Sequence, residues 1–487
     1  MRGEGAGVRV RSPLLRPADN SYGPPCLELP HADDQPHPIM PEQGGLRARH
    51  VAAFAFAMTS SGPFGVEDCV QAAGPSWTFA GFFLVTLIYV LPEILMTSEL
   101  ALTLPLSNGG VVAWTSRAFG RRSAGLAALN MLLYQIVDLA TYPTLALGYA
   151  QSMGYGVLAW LVSAAPFVIV AVGFCLNLLN IEVAGEVYLR VLMFIMLPFL
   201  VGIPFAIPYF PVAWEELWGR AEATTQPPSK DLNLFVSTIF WLNTGWDSMG
   251  NLASEVRSPS DLVSGLTWAA LTTLALYSVC MFAALGAGAG SWTGGFLAVA
   301  YGRFYAPLAP WICVCAGLAN SLLYTSELTT VSRLIQSMGD PEEELRLLPT
   351  CFARQFTSGA PVIALLAVTA AECGLVSLTF DYLVQLSTFL HVVAFWLSLA
   401  AYLKLRVYSP GITRLFTVPG GKWGPWCIFS VKAPVLLFLT LSACTNPSVV
   451  FGGLGANAAF LLILVLWSWA PGRTRADSSR RCAEDVH

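Results

Sequence analysis

From about residue 50 to residue 470 the chain alternates long apolar runs with short polar interruptions. The runs lie at 50–73, 78–104, 123–151, 155–179, 184–208, 233–256, 263–289, 305–336, 357–373, 378–404, 427–445 and 449–470. An apolar helix of ~20 residues crosses a bilayer core, so the pattern predicts an all-α membrane protein with twelve transmembrane helices. The flanks read differently. Residues 1–46 are rich in Pro, Gly, Arg and acid without apolar periodicity and predict a disordered cytoplasmic tail; 471–487 predict a second, short charged tail. A twelve-span transporter domain, 47–470, lies between them. The N-terminal tail has no apolar stretch of secretory-signal type, which leaves the first run as the insertion signal.

Two runs contain breaks. The first is interrupted at Ser60-Ser61-Gly62-Pro63-Phe64-Gly65 and the sixth at Asn243-Thr244-Gly245-Trp246-Asp247. These are the opening runs of two five-run halves, and paired breaks at corresponding positions point to a transporter site. Irregular backbone at membrane depth survives where it is buried in protein or lines a cavity. Glycine in a membrane helix also serves close helix packing, but two matched breaks, each followed by an acid, favour the site. In the first, the run before Ser60 ends in free carbonyls carrying partial negative charge. A helix restarting at Pro63 would have one N–H fewer. Glu67 then adds a negative charge one turn later, as Asp247 does after the second break. Both features turn a helix N-terminus away from anions and toward cations.

Composition supports lipid as the main solvent. The chain is 55% hydrophobic and 11% charged, with mean hydropathy +0.60, where soluble domains carry about 25% charged residues. Net charge is −4 with no basic block, which excludes a nucleic-acid partner. The 11 cysteines are scattered, largely in apolar runs, and predict neither metal nor disulfides. Basic residues cluster in alternate loops: Arg117, Arg121 and Arg122; Arg257; Arg346 and Arg354; Lys404, Arg406, Arg414 and Lys422. The opposite loops carry Arg220, Lys230 and Arg303. By the positive-inside rule both termini are cytoplasmic.

An ionisable residue inside a span is a functional candidate by default. In the third run Tyr134, Asp138 and Tyr142 fall at i, i+4 and i+8 and share one face. Asp138 and Tyr142 read either as ligand groups or as a structural pair at an interface. Glu327 reads as a substrate or proton carboxylate, or as the partner of Arg333. Glu93 follows Pro92 deep in the second run. Glu99, nearer its cytoplasmic end, reads as solvated or gate-pairing. Glu372 and Asp381 flank an outer loop and are expected in solvent. His391 reads as packing or as a proton relay. Phe240, Trp241 and Trp246 crowd the second break, where aromatic faces plus a carboxylate suit an organic cation.

The stretches SSGPFGVEDCV (60–70), LPEILMTSELALTLPLSNGGVVAWTSRAFG (91–120), DLATYP (138–143) and FWLNTGWDSMGNLASEV (240–256) resemble the amino acid–polyamine–organocation superfamily, and within it the eukaryotic polyamine uptake branch. The resemblance covers roughly 47–470. It implies a five-plus-five inverted-repeat, LeuT-like fold with helices 1 and 6 broken, working by alternating access. It also implies proton-driven import of putrescine or spermidine. By matched position, Gly62, Pro63, Gly65 and Glu67 form the first unwound site, Asn243, Trp246 and Asp247 the second, and Tyr142 touches the ligand. Glu93, Asp138 and Glu327 remain as substrate or coupling carboxylates. Amino-acid members carry a Gly-Ser-Gly type break that holds a carboxylate on backbone N–H groups; here Gly-Pro-Phe-Gly replaces it. Some relatives place a coupling lysine in the fifth span, and residues 186–208 contain none.

The expected protein is therefore a polyamine:proton symporter, in the plasma membrane or an endomembrane, whose partners are a small organic cation, protons and lipid. Glu67 and Asp247 are the expected amine-binding acids. An amino-acid transporter and a non-transporting nutrient sensor are the alternatives. No catalytic constellation, cofactor motif or selectivity ring points to an enzyme or a channel.

Overall fold

A computed structural model describes residues 46–469, apart from 104–109, 153–158, 179–180, 220–228, 253–255, 289, 341–346 and 356–359. Almost all of these residues are helical, and no strand occurs among them. The first half holds α1 (Ala48–Thr59), α2 (Val66–Ala73), α3 (Pro75–Val85), α4 (Leu91–Ala101), α5 (Gly110–Phe119), α6 (Arg121–Ser152), α7 (Ala159–Asn177), α8 (Ile181–Ala206) and α9 (Phe210–Leu217). The second holds α10 (Leu232–Trp241), α11 (Pro259–Leu285), α12 (Phe296–Phe304), α13 (Leu308–Gly339), α14 (Val362–Leu375), α15 (Phe380–Tyr408), α16 (Gly424–Ala443) and α17 (Pro447–Trp469).

Seven described helices are long and apolar enough to cross a membrane: Pro75–Ala101, Arg121–Ser152, Arg190–Leu217, Pro259–Leu285, Leu308–Gly339, Phe380–Tyr408 and Gly424–Ala443. Each of the other five predicted runs also holds helix: α1 with α2, α7, α10, α14 and α17. Helices α5, α9 and α12 were not predicted. Both terminal tails lie outside the described residues except Leu46. Leu46 pairs with Val256 as an isolated bridge, and the Arg257 N–H donates to the Leu46 carbonyl at 3.0 Å.

Burial separates core from periphery. In α6, 78% of the apolar window is buried against protein, and in α15 72%, against 33% for Arg190–Leu217. The first two pack together as the inner pillar. The last exposes large side chains such as Met193 and Leu200, the pattern of a lipid-facing helix. Helix α1 crosses α11 so closely that a Cβ on Gly265 would lie 2.6 Å from the Val51 side chain, the small-residue packing that brings membrane helices together. Between α3 and α4, Thr86–Val90 takes π-helical register just before Pro92. Proline has no N–H to donate, and a wider turn absorbs the missing bond.

The intramembrane acids are held in unequal ways. Glu93 does not reach a cavity. Its carboxylate is ion-paired with Lys432 of α16, and both are buried. The Lys432 ammonium also lies 5.4 Å from the Tyr89 ring centre. Glu99 is paired rather than solvated: Arg406 and Arg414 approach at 3.2 and 3.4 Å, and the Val418 N–H donates to it at 2.7 Å. It thereby straps the α15–α16 loop to α4. Glu372, expected in solvent, is fully buried and accepts from the Tyr324 hydroxyl at 2.7 Å. That acid sits in α14 facing α13, so the outer loop begins beyond it. Asp381 is half-buried at the start of α15.

Removing one member of a buried ion pair strands the other charge and costs about 3–5 kcal/mol, whereas neutral packing of both positions costs far less. Lys432→Met alone should therefore lower the thermal unfolding temperature in detergent sharply. Adding Glu93→Gln should restore most of the loss. Equal melting of all three proteins would show that the pair carries no stability.

Candidate functional site

The two breaks meet at the centre of the helix bundle. In the first, α1 stops at Thr59, and the Ser60 and Ser61 N–H groups both donate to the Phe56 carbonyl at 3.0 Å. The chain re-enters helix at Val66, not at Pro63, which lies within the turn. Gly65 caps α2 with φ +91°, a left-handed conformation that side chains disfavour. In the second, α10 stops at Trp241, and a short 3-10 turn follows at Ser248–Leu252. Its loose carbonyls are claimed locally: Asn243 Nδ2 donates to Ile239 at 2.8 Å, Thr244 to Trp241 at 2.9 Å and the Tyr277 hydroxyl to Leu242 at 3.2 Å. Gly245 (φ +93°) lets the second break lie against the first, with its Cβ position 3.3 Å from Thr59.

A cavity lies beside this crossing. Its walls come from the first break and α1 (Met58, Thr59, Ser60, Phe64), α6 (Tyr134, Gln135, Asp138, Tyr142, Leu145), the second break (Trp241, Leu242, Thr244, Gly245, Ser248) and α13 (Asn320, Leu323, Ser326, Glu327, Thr330), with Tyr277 from α11. Among the described residues, two carboxyl groups face it and no Lys, Arg or His does. The Tyr142 hydroxyl sits between them, 3.0 Å from Asp138 Oδ2 and 2.7 Å from Glu327 Oε2. Trp241 Nε1 donates to Asp138 Oδ1 at 2.7 Å. A phenol has one hydrogen to give. Two ionised carboxylates around it are therefore short of positive charge, and like charges at this spacing cannot both persist unaided in a dry site. A proton or a bound ammonium group completes the set.

Of the predicted ligand residues, Tyr142, Asp138 and Glu327 line this cavity. Gly62, Pro63, Gly65, Glu67, Asn243, Trp246, Asp247 and Glu93 do not. Glu67 turns toward the end of the bundle that holds α12. Its carboxylate accepts from the Gly65 N–H at 3.1 Å, from the Leu297 N–H at 3.3 Å and from the Tyr149 hydroxyl. Phe64 packs edge-on against Tyr149 and Phe199 at 5.2 and 5.7 Å, beneath that carboxylate. Together they seal the cavity on that side. Asp247 turns to α15, with Oδ2 3.5 Å from His391 Nε2. Asn243 caps backbone, and the buried Trp246 indole has no hydrogen-bond partner among the described residues. Glu327 Oε2 takes the Tyr142 hydroxyl as its partner.

Residues 51–469 match the profile of the amino acid permease family. The chain belongs to that family. Among curated proteins the permease is 32% identical over 419 residues to the polyamine transporter PUT1 of Oryza sativa subsp. japonica, covering 84% of this chain and 75% of that protein. It is 29% identical over 424 residues to the polyamine transporter RMV1 of Arabidopsis thaliana, covering 84% and 82%. A probable polyamine transporter of Arabidopsis thaliana is 28% identical over 401 residues, covering 81% and 78%. The permease is thus a membrane transporter.

Sequence reasoning missed several lining groups of the permease. Asn320, Ser326 and Thr330 recur with the predicted Glu327 at helical spacing down one face of α13, and a polar stripe in an apolar helix was the available signal. Phe64 gave none, because a phenylalanine inside a break reads as filler. The seal yields a test. Leaving a buried carboxylate without one donor costs about 1–3 kcal/mol. Tyr149→Phe should loosen the seal, so a thiol placed by Leu297→Cys should react with a maleimide about 5- to 150-fold faster in detergent, over the Tyr149→Phe background. Unchanged labelling would show that the seal stands without this phenol.

Proposed function

We propose that the permease imports polyamines, putrescine or spermidine, by proton symport. One observation carries the choice of cargo: among the described residues the cavity presents Asp138 and Glu327 and no basic side chain. A protonated amine supplies the positive charge those acids lack, with Tyr142 placed to orient it and the Trp241 ring adding cation–π attraction of roughly 0.5–2 kcal/mol. Three curated relatives bear polyamine transporter names, which supports the same reading.

An amino-acid cargo is the second reading, favoured by the family's name. It needs donors for an α-carboxylate, and the natural place is the N-terminus of the half-helix after the first break. Here that place is taken. Glu67 Oε2 accepts the Gly65 N–H at 3.1 Å, so the protein's own carboxylate fills the anion position. This gives Glu67 its role in the proposal: it excludes a carboxylate ligand and closes the outer seal, while Gly62, Pro63 and Gly65 shape the turn beneath it. Asn243 and Trp246 frame the second break.

The proposed architecture is twelve spans in a five-plus-five inverted repeat. α1 with α2 forms the broken first span, and α10 with the turn that follows forms the broken sixth. Both termini are cytoplasmic and the membrane is the plasma membrane. In that frame the cavity faces away from the sealed outer side, and alternating access exchanges the Phe64–Tyr149–Glu67 seal for one on the basic face.

Asp138→Asn and Glu327→Gln should each cut uptake of labelled putrescine and spermidine about 10- to 150-fold in transport-deficient cells, the loss of one charge-assisted hydrogen bond. Surface expression should stay at the parent level, and leucine and arginine should not compete. Saturable uptake of either amino acid without polyamine flux would overturn the proposal.

A further inference from the structure

Four residues from three elements meet just behind the cavity wall. His391 of α15 is buried, and its imidazole is stacked between Tyr134 (ring centres 3.7 Å apart) and Phe395 (3.8 Å). Its Nε2 lies 3.5 Å from Asp247 Oδ2, within ion-pair reach, and makes no hydrogen bond among the described residues. Asp247 is itself buried and belongs to the second break. Tyr134, on the other face of the imidazole, lines the cavity one helical turn from Asp138. A single aromatic ring therefore separates the histidine from the amine-binding acids.

We propose that His391, with Asp247 as its counter-ion, is the proton-carrying group of the permease. This rests on the proton-driven transport proposed above and names the residue that performs it. A proton from the outer solution binds His391 Nε2 and converts imidazole to imidazolium. The same proton leaves that nitrogen for the inner solution later in the cycle, so the ring returns to neutral and one proton crosses per turnover. No other chemistry is required.

The geometry explains why this proton would be felt by the moving parts. When protonated, the imidazolium and Asp247 form a buried neutral pair that pins the second break to the continuous helix α15. When the proton leaves, Asp247 loses its counter-charge and keeps only neutral donors, among them the backbone N–H groups of Asp247 and Ser248, so an ionised carboxylate is left uncompensated in a dry setting. The cheapest relief is to move the segment that carries it. Gly245, two residues before, touches Thr59 at the end of α1, so a shift of the second break is passed to the first. Protonation is thereby converted into a choice between two arrangements of the broken helices.

The surroundings of the ring leave few competitors for that proton. From α6 the titratable groups facing it are Tyr134 and, one turn on, Asp138. From α13, Glu327 lies beyond Tyr142. Across Phe395 is Tyr89, 5.7 Å from it by ring centres, and behind Tyr89 the Glu93–Lys432 pair from α4 and α16 is internally neutral. Helix α10 presents no titratable side chain, and Arg117 at the end of α5 and the Glu99 cluster of α4 lie on the basic face. Asp247 is thus the acid in contact with the imidazole.

The test reads proton entry and cargo exchange separately. Purified full-length protein is reconstituted in liposomes holding a pH-sensitive dye. Putrescine, spermidine, leucine and arginine are then added one at a time, without a membrane potential. The parent protein should acidify the lumen with a polyamine and also exchange labelled for unlabelled cargo. His391→Gln should keep exchange within about threefold of the parent while proton entry falls at least tenfold and the pH dependence of net uptake flattens. His391→Asn, a smaller amide, serves if the first variant is not recovered. A variant that still carries protons per cargo as the parent does overturns the assignment, as does a parent that carries none with any cargo. A parent that carries protons with leucine or arginine alone overturns the polyamine reading instead. The histidine comparison is then scored with that amino acid.

Discussion

Every backbone group in a bilayer needs a partner, and the breaks in α1–α2 and α10 exist only because neighbouring residues supply those partners. Asn243, Thr244 and Tyr277 take up the carbonyls that α10 leaves open, and Glu67 takes up the N–H that opens α2. The cavity is the space left where these two repaired interruptions cross. Remove the repairs and the half-helices have no reason to stop there. Residues that look like ligands in the sequence are thus partly the means by which the polypeptide tolerates being unwound.

The same constraint sorts the acids. Glu93, Glu99 and Glu372 are buried with partners on α16, the α15–α16 loop and α13, and each ties two elements together. Glu67 and Asp247 act across gaps that must open if the chain changes shape. Among the described residues, Asp138 and Glu327 have neutral donors, Tyr142 and Trp241, and are the acids that face the cavity. An acid's neighbours decide whether it is structural or exposed to a ligand, whatever its depth.

Both breaks were legible because two matched interruptions, each followed by an acid, outweigh the close-packing role that a single glycine motif would suggest. Asp138, Tyr142 and Glu327 were legible as polar residues at membrane depth, the first two on one helical face. The direction of Glu67 and Asp247 was not. It depends on Tyr149, Leu297 and His391, which lie 82, 230 and 144 residues away and carry no local mark of the meeting. The restart at Val66 instead of Pro63 has a similar origin, since Gly65 is the residue that can take the left-handed cap. Lys432 was hidden in an apolar run, and its partner gave Glu93 a role that position alone could not. Helices α5 and α12 were missed because they lie in segments rich in glycine, whose order comes from packing, α5 on α6 and α15 and α12 chiefly on α13.

The two acids of the cavity sit on α6 and α13, continuous helices, and not on the broken segments. In the proposed transport, a divalent cargo held there would carry its own charge through the membrane while the counter-charge stays with the protein's frame. Each elementary charge crossing 100 mV is worth about 2.3 kcal/mol, so an inside-negative potential would add about 4.6 kcal/mol per 100 mV for the charge of a dication alone, before that of any proton moving with it. A carrier of that kind would be a current source as well as a transporter, and its cargo would be retained inside as long as the membrane stays polarised.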